Sequence, residues 1–160
     1  MSYDIKNILY ATDLGEYGPE VFRLAIALAD RFEATIHILH VVDEPSYLTK
    51  NVSQRYLSST VFDTYRASAR NEALTEIEER LKRFSEDILE NETPKNLHVG
   101  EIKVVPGKPG RTIVDEARRI GADCIVMGSR RYSALSAITI GSVAHEVTIN
   151  ARLPVFLYPI

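Results

Sequence analysis

Short apolar runs alternate along this chain with segments whose apolar residues recur every three or four positions, and this alternation is the strongest constraint on its fold. A first apolar run covers residues 5–12, an amphipathic segment follows over residues 19–32, and a second run covers residues 34–42. Apolar residues at helical spacing predict an amphipathic helix, whereas short β-branched runs predict buried strands. Strands that alternate with helices form βαβ units, so the pattern predicts a parallel sheet with helices on both faces.

The rest of the chain continues the same pattern and completes a five-stranded α/β prediction. Gly121 stands where the left-handed C-terminal cap of a helix belongs. The stretch from Asp43 to Thr60 is polar and has no clear period, which predicts a long loop. We expect one domain over residues 1–160. Its further elements are a long helix (62–88), a third strand (97–107), a short helix ending at Gly121, a fourth strand (124–128), a fourth helix (142–152) and a final strand (153–160).

Composition and charge narrow the class of partner and the compartment. The formal net charge of −3 argues against nucleic acid or an anionic membrane as the main partner. No apolar run is long enough to span a bilayer, and the first residues do not resemble a signal peptide, so we predict a cytoplasmic protein. Cys124 is the only cysteine and lies in an apolar run, which predicts a buried hydrophobe and no intramolecular disulfide.

Chemistry-bearing residues follow the first and fourth predicted strands. Ligands of open α/β sheets bind at the carboxyl ends of the strands, where the winding reverses. Asp13 follows the first strand, and Gly128 ends the fourth. After a gap of twelve residues, Gly141 and Ser142 open a helix, whose N–H groups and dipole favour a phosphate. The alternative is that Asp13 caps a turn and that the glycines serve turn chemistry alone.

Other motifs do not support a catalytic or metal site. The Gly107-Lys108 pair lacks the flanking residues of a phosphate-binding Walker loop. The four histidines do not cluster, so we predict no dedicated metal site and no catalytic residue. A two-component receiver domain would need an aspartate at the end of the third strand, where this chain has VVPG.

These features resemble the universal stress protein family along nearly the whole chain. The resemblance rests on ILYATD near the start, LHVVDE after the second strand, VVPGKPGRTIVDEARRIGADCIVMGSR, and the terminal LPVFLYP. Nucleotide-binding members of that family carry the motif Gly-x2-Gly-x9-Gly-Ser/Thr. Gly128, Gly141 and Ser142 fall on this motif, whereas Arg131 stands in place of its middle glycine.

The resemblance implies a fold, a ligand and an assembly. The implied fold is a five-stranded parallel sheet in the order 3-2-1-4-5, of the adenine nucleotide alpha-hydrolase-like type. The implied function is a homodimeric regulator of the stress response that binds ATP, with any Mg²⁺ bound to the nucleotide, and has little or no catalysis. It would act with an unidentified protein partner. Asp13 would contact adenine and ribose, the Val41 backbone would contact the adenine edge, and Gly128, Ser129, Gly141 and Ser142 would hold the phosphates. The dimer would form through the last strand, at Val155, Phe156 and Leu157, because an unpaired apolar edge is otherwise a liability.

Arg131 leaves the function open between alternatives. One alternative is that the middle position of the motif needs glycine for a positive φ, or to let the phosphates lie against backbone that carries no side chain. In that case arginine weakens nucleotide binding, and the chain is a nucleotide-independent interaction module. If the loop rearranges, Arg130 or Arg131 reaches the phosphates through charge-assisted hydrogen bonds. A third alternative, an adenylating enzyme, would need a pyrophosphate loop directly after the first strand, and LGEYG is a poor version of one. The motif residues that remain favour retained nucleotide binding.

Overall fold

A computed structural model describes residues 3–43, 59–92, 94, 96–134 and 137–160 of the chain. Within these ranges the helices are α1 (Gly18–Phe32), α2 (Ser59–Glu92), α3 (Pro109–Ile120) and α4 (Ser142–Asn150). The strands in the same described ranges are β1 (Asn7–Ala11), β2 (Thr35–Val42), β3 (His98–Pro106), β4 (Cys124–Ser129), β5 (Arg131–Ala134), β6 (Ala137–Ile140) and β7 (Val155–Pro159).

Five of the strands form one parallel sheet in the order β3-β2-β1-β4-β7. Counting only the strands of this sheet, the order is 3-2-1-4-5, which confirms the predicted fold class. The central strand is β1, whose Ile8 stands opposite Ile36 of β2 and Cys124 of β4. The sheet therefore winds in one direction from β1 to β3 and in the other from β4 to β7.

Side chains of β1 are buried on both faces of the sheet. Ile8 and Tyr10 belong to the apolar layer under α1 and α2, and each is 0% exposed. Leu9 and Ala11 point the other way, into the layer under α3 and α4. A strand covered on both faces has no polar side, which is why its sequence is a continuous apolar run. Helices on both faces are thereby confirmed.

An aromatic stack fastens α1 and α2 to the same face. The Tyr10 and Phe22 rings are stacked, with their centroids 4.9 Å apart, and the Phe84 ring of α2 lies 5.9 Å from Phe22. A side chain at Gly18 would meet the Phe84 ring at 3.3 Å, so glycine allows the first turn of α1 to approach α2 closely. This stack lies next to the end of β1, where the candidate site is built.

Several local predictions are confirmed, and one element was missed. Gly121 caps α3 with φ at 64°. Cys124 is fully buried, and burial raises the pKa of its thiol to about 11. The sequence pattern predicts no strand between the fourth strand and the fourth helix, but this connection contains the antiparallel pair β5–β6. This pair escaped prediction because no glycine or proline marks its turn.

The segment from Asp43 to Thr60 was predicted as a loop, and residues 44–58 of it lie outside the described residues. Its last two residues belong to α2, which begins at Ser59. Within the described ranges, no helix has both the length and the apolar character that a membrane crossing requires.

A β-bulge on β3 is held by a histidine ring. The pairing of β2 with β3 shifts register between Ile36 and Ile38. At this point His37 Nδ1 accepts the Glu101 backbone N–H at 3.2 Å, and its Nε2 lies 3.3 Å from Asn7 Oδ1. The ring therefore supplies an acceptor to an N–H group at the bulge, and this requires the neutral tautomer with its proton on Nε2.

The bulge predicts a pH-dependent component of stability. Burial lowers the pKa of His37, and the Arg119 charge acts in the same direction, against the opposing effect of Glu101. Because the folded pKa is below the unfolded value of about 6.5, the unfolded chain binds the proton more tightly. The His37 contribution to stability is therefore complete above pH 6.5 and is lost as the pH falls from there through the folded pKa.

We expect His37→Gln to remove this component. Urea unfolding between pH 8 and pH 5 should show a smaller loss of unfolding free energy in the variant than in the wild-type protein. The other three histidines are common to both proteins, so the difference isolates His37. Parallel pH profiles of the two proteins would contradict the assignment.

Gly100 should be coupled energetically to the same ring. A Cβ at Gly100 would lie 2.5 Å from His37 Cε1, so the ring would have to move and leave the Glu101 N–H. We expect Gly100→Ala to lower the unfolding free energy by about 1–3 kcal/mol. In a His37→Ala background the cost should be clearly smaller, and an equal cost in both backgrounds would rule out the steric coupling.

Candidate functional site

A cavity of about 460 Å³ opens at the carboxyl ends of β1 and β4. These neighbouring strands mark the switch point of the sheet, because β1 leads to α1 on one face and β4 leads to α4 on the other. Ligand sites of open α/β sheets form at such points. Five of the predicted site residues line this cavity, namely Asp13, Val41, Gly128, Gly141 and Ser142.

Asp13 is both a turn residue and a cavity residue. Its Oδ1 accepts the Gly15 N–H at 2.8 Å, and Thr12 Oγ1 accepts the Leu14 N–H at 3.0 Å. These two bonds brace a loop in which Leu14 adopts a φ of 57°, a conformation uncommon for a residue with a side chain. Asp13 therefore has the turn-capping role that was the alternative to ligand binding, and the same hydrogen bond fixes the position of its carboxylate in the cavity wall.

Tyr10 connects the cavity wall to the core. Its hydroxyl donates to the Gly18 backbone oxygen at 2.9 Å, at the start of α1. Burial raises the pKa of this phenol, so it stays protonated and continues to donate at neutral pH. The bond ties the end of β1 to α1 and fixes the distance across this side of the cavity.

The N-terminus of α4 opens into the cavity. The helix begins at Ser142, as predicted, and its N-cap Gly141 provides no side-chain hydrogen bond. Ser142, Val143 and Ala144 all line the cavity. Backbone N–H groups in the first turn of a helix have no intrahelical acceptor, and the helix dipole adds a positive potential there. This end of the cavity is therefore suited to an anion.

Gly128 and Ser129 occupy different environments at the end of β4. A Cβ at Gly128 would lie 3.2 Å from Ile160 Cδ1 and 3.5 Å from Val21 Cγ2, two side chains that line the cavity. Ser129 is only 6% exposed, and its backbone oxygen accepts the Ile160 N–H at 3.0 Å. It is not among the residues that line the cavity, so its phosphate contact stays a prediction.

Arg131, which replaces the middle glycine of the motif, begins strand β5. It stands opposite Ile140 in the antiparallel ladder with β6. An extended strand conformation is accessible to any residue, so arginine causes no backbone strain at this position. Its side chain lies outside the described part of the structure.

Arg130 joins the ends of β4 and β1 by an ion pair. Its Nη2 lies 3.0 Å from Asp13 Oδ2, and the two side chains are 65% and 49% exposed. Exposed ion pairs contribute at most about 1 kcal/mol, so a ligand can replace this one at low cost.

Charges of both signs line the cavity. Asp13 and Asp43 follow β1 and β2, whereas the α4 N-terminus lies beside β4. A ligand with an anionic end near α4 and hydroxyl or amine donors near β1 matches this arrangement. Among the residues that the structure describes, no three carboxylate, histidine or cysteine groups are gathered closely enough to bind a metal ion.

Sequence reasoning missed the apolar walls of the cavity. Val21, Ile113, Met127 and Ile160 all line it. Their spacing along helices and strands is the same as that of ordinary core residues, so no pattern in one sequence separates wall from core. A weak signal exists only for Met127, which directly precedes the strand-ending Gly128.

Comparison with known proteins places this arrangement in a family. A model of the universal stress protein family matches residues 4–159. Universal stress protein MJ0577 of Methanocaldococcus jannaschii is 29% identical over 98% of this chain and 96% of its own length. Its solved structure superimposes with a TM-score of 0.72 at 26% identity, over 98% of this chain and 96% of that one.

Two further relatives agree with this match. Universal stress protein YxiE of Bacillus subtilis is 27% identical over 95% of this chain and 97% of its own length. A universal stress protein solved in complex with cAMP shares the fold, with a TM-score of 0.60 at 19% identity over 98% of both chains. This protein belongs to the universal stress protein family and has its nucleotide alpha-hydrolase-like α/β fold.

Proposed function

We propose that this protein binds an adenine nucleotide, with ATP as the nucleotide that its motif implies, and regulates a stress response with little or no catalysis. The observation that carries the proposal is the N-terminus of α4, which opens into the cavity that the Asp13 carboxylate also lines. Membership of the family and the cAMP complex of a relative support it.

The β2 side of the cavity has the chemistry that an adenine ring requires. Leu39, Val41, Ile113 and Met127 provide apolar wall. The Leu39 backbone oxygen of β2 accepts the N–H of Thr12, which directly follows the last residue of β1. Val41 lies two residues beyond Leu39 along β2, and therefore beyond the end of β1. Alternate residues of a strand direct their backbone polar groups to the same side, so those of Val41 are directed past the end of β1 and towards the cavity. They would pair with the edge of the base.

The phosphates would lie at the α4 N-terminus, near Gly128, Gly141 and Ser142. A Mg²⁺ ion would arrive with the nucleotide, since the two aspartates of the cavity, Asp13 and Asp43, do not form a metal cage by themselves.

The surroundings of the cavity support binding without turnover. Asp13 is engaged by the Gly15 N–H and by Arg130, so it is not placed as a general base. In the LGEYG loop, the Gly15 N–H donates to the Asp13 carboxylate, and the Gly18 N–H donates to the Gly15 backbone oxygen. Because this loop uses these N–H groups internally, it is poorly suited to bind pyrophosphate, which argues against an adenylating enzyme.

Substitutions at Ser142 test the phosphate site. Ser142→Asp places a carboxylate at the α4 N-terminus, where it benefits the helix but repels phosphate. We expect calorimetry with nucleotide-stripped protein to show affinity for Mg-ATP lowered by about tenfold or more, with no loss of thermal stability. The matched Ser142→Ala variant keeps the backbone N–H groups and should bind within about threefold of the wild-type protein.

A rival function would give a different result in the same titrations. If the wild-type protein bound neither Mg-ATP nor AMP at high micromolar concentration, nucleotide binding would be refuted. The chain would then be a nucleotide-independent interaction module. The β5–β6 ladder favours this rival, because it uses backbone groups of the loop that could otherwise meet phosphate.

We also propose that the protein is a cytoplasmic homodimer formed through β7. This strand is an edge of the sheet and carries Val155, Phe156 and Leu157. Pro154 O accepts from Ile125 N–H, and Ile160 N–H donates to Ser129 O. Since alternate residues of a strand share a side, the backbone polar groups of Val155 and Leu157 face away from β4, towards a partner strand.

The dimer is tested by mass and by amide protection. Val155→Asp should convert the wild-type dimer to a monomer in sedimentation equilibrium, because its carboxylate would be desolvated on the covered face of the paired strands. Since Val155 also packs against the core, a second measurement uses the unmodified protein. Hydrogen exchange at the Val155 and Leu157 amides should slow as protein concentration rises, and concentration-independent exchange would exclude pairing through β7.

A further inference from the structure

Arg130 is anchored at one end of the cavity and bonded at the other. Its backbone lies beside the N-cap of α4, since a Cβ at Gly141 would lie 3.4 Å from Arg130 O and 3.6 Å from Arg130 N. Its guanidinium donates from Nη2 to Asp13 Oδ2 at 3.0 Å. The side chain therefore reaches from the anion-binding helix end to the carboxylate that follows β1.

A ligand in this cavity competes with that contact at Asp13. Of the two carboxylate oxygens, Oδ1 accepts the Gly15 N–H and Oδ2 accepts from Arg130. A sugar hydroxyl that donates to Oδ2 therefore competes with the guanidinium for this oxygen. A phosphate at α4 offers the displaced guanidinium a new acceptor close to its own backbone, with oxygens that match its planar fork.

We propose that Arg130 makes the site selective for phosphorylated ligands by exchanging partners. In the ligand-free protein it holds Asp13, and when a nucleotide binds it transfers to the phosphate and releases Asp13 to the sugar. A nucleoside competes with the same ion pair but brings no phosphate to hold the released guanidinium. This inference rests on the proposed nucleotide function and adds to it the residue that distinguishes nucleotide from nucleoside.

The test compares AMP with adenosine, which differ only in the phosphate, by calorimetry on wild-type protein and Arg130→Gln. We expect the variant to bind AMP about tenfold more weakly, because a charge-assisted bond to phosphate is lost. It should bind adenosine up to about fivefold more tightly. This ratio of dissociation constants corresponds to the free energy that an exposed ion pair contributes. Opposite changes for the two ligands are the signature of partner exchange.

Two control variants accompany the measurement. Arg31→Gln makes the same change of charge at an exposed residue in the last turn of α1, at the other end of that helix from the cavity, and should alter neither affinity. Arg130→Lys keeps the charge, so its affinity for AMP should lie between those of the wild-type protein and Arg130→Gln. Thermal melts of each variant verify folding.

The outcomes separate the inference from the function on which it rests. If the wild-type protein binds AMP but Arg130→Gln shifts both ligands in the same direction, or leaves adenosine unchanged, the inference is wrong and the nucleotide function stands. If the wild-type protein binds neither AMP nor adenosine, the proposed function fails and the inference fails with it.

Discussion

The burial of β1 on both faces is the constraint on which the rest of the structure depends. Ile8 and Tyr10 must be covered by one helical layer, and Leu9 and Ala11 by another. A single chain meets both demands by leaving β1 towards one face and later leaving β4 towards the other. The two connections diverge at the carboxyl ends of these strands, and the cavity is the space between them. The site therefore follows from the same burial that stabilises the core.

Sequence alone predicts the features that depend on local pattern. The five strands of the sheet, the start of α4 at Ser142 and the left-handed cap at Gly121 each follow from periodicity or from a conformational preference. Features that depend on contacts distant in sequence were not predictable. The ion pair between Asp13 and Arg130 joins residues 117 positions apart, and the wall residue Ile160 lies at the far end of the chain from Val21.

The two adjacent arginines illustrate the difference between a motif and a site. A comparison of motifs directs attention to Arg131, because it replaces a glycine. In the structure, Arg131 lies in an extended strand that tolerates any residue, whereas Arg130 bonds to a carboxylate of the cavity wall. The contact with Asp13 thus comes from the arginine that the motif comparison does not single out.

The two edges of the sheet have different chemistry. Along β3, Glu101 and Lys103 pair with Arg119 and Glu116 of α3, and the bulge at His37 interrupts the regular pairing. Such charges and bulges protect an edge from other strands, whereas the other edge carries Val155, Phe156 and Leu157 of β7. If two copies join through β7 about a two-fold axis, the two apolar β7 edges pair with each other. Only the protected β3 edges then remain exposed. Growth of the assembly then ends at two copies, and the sheet cannot extend into a fibre.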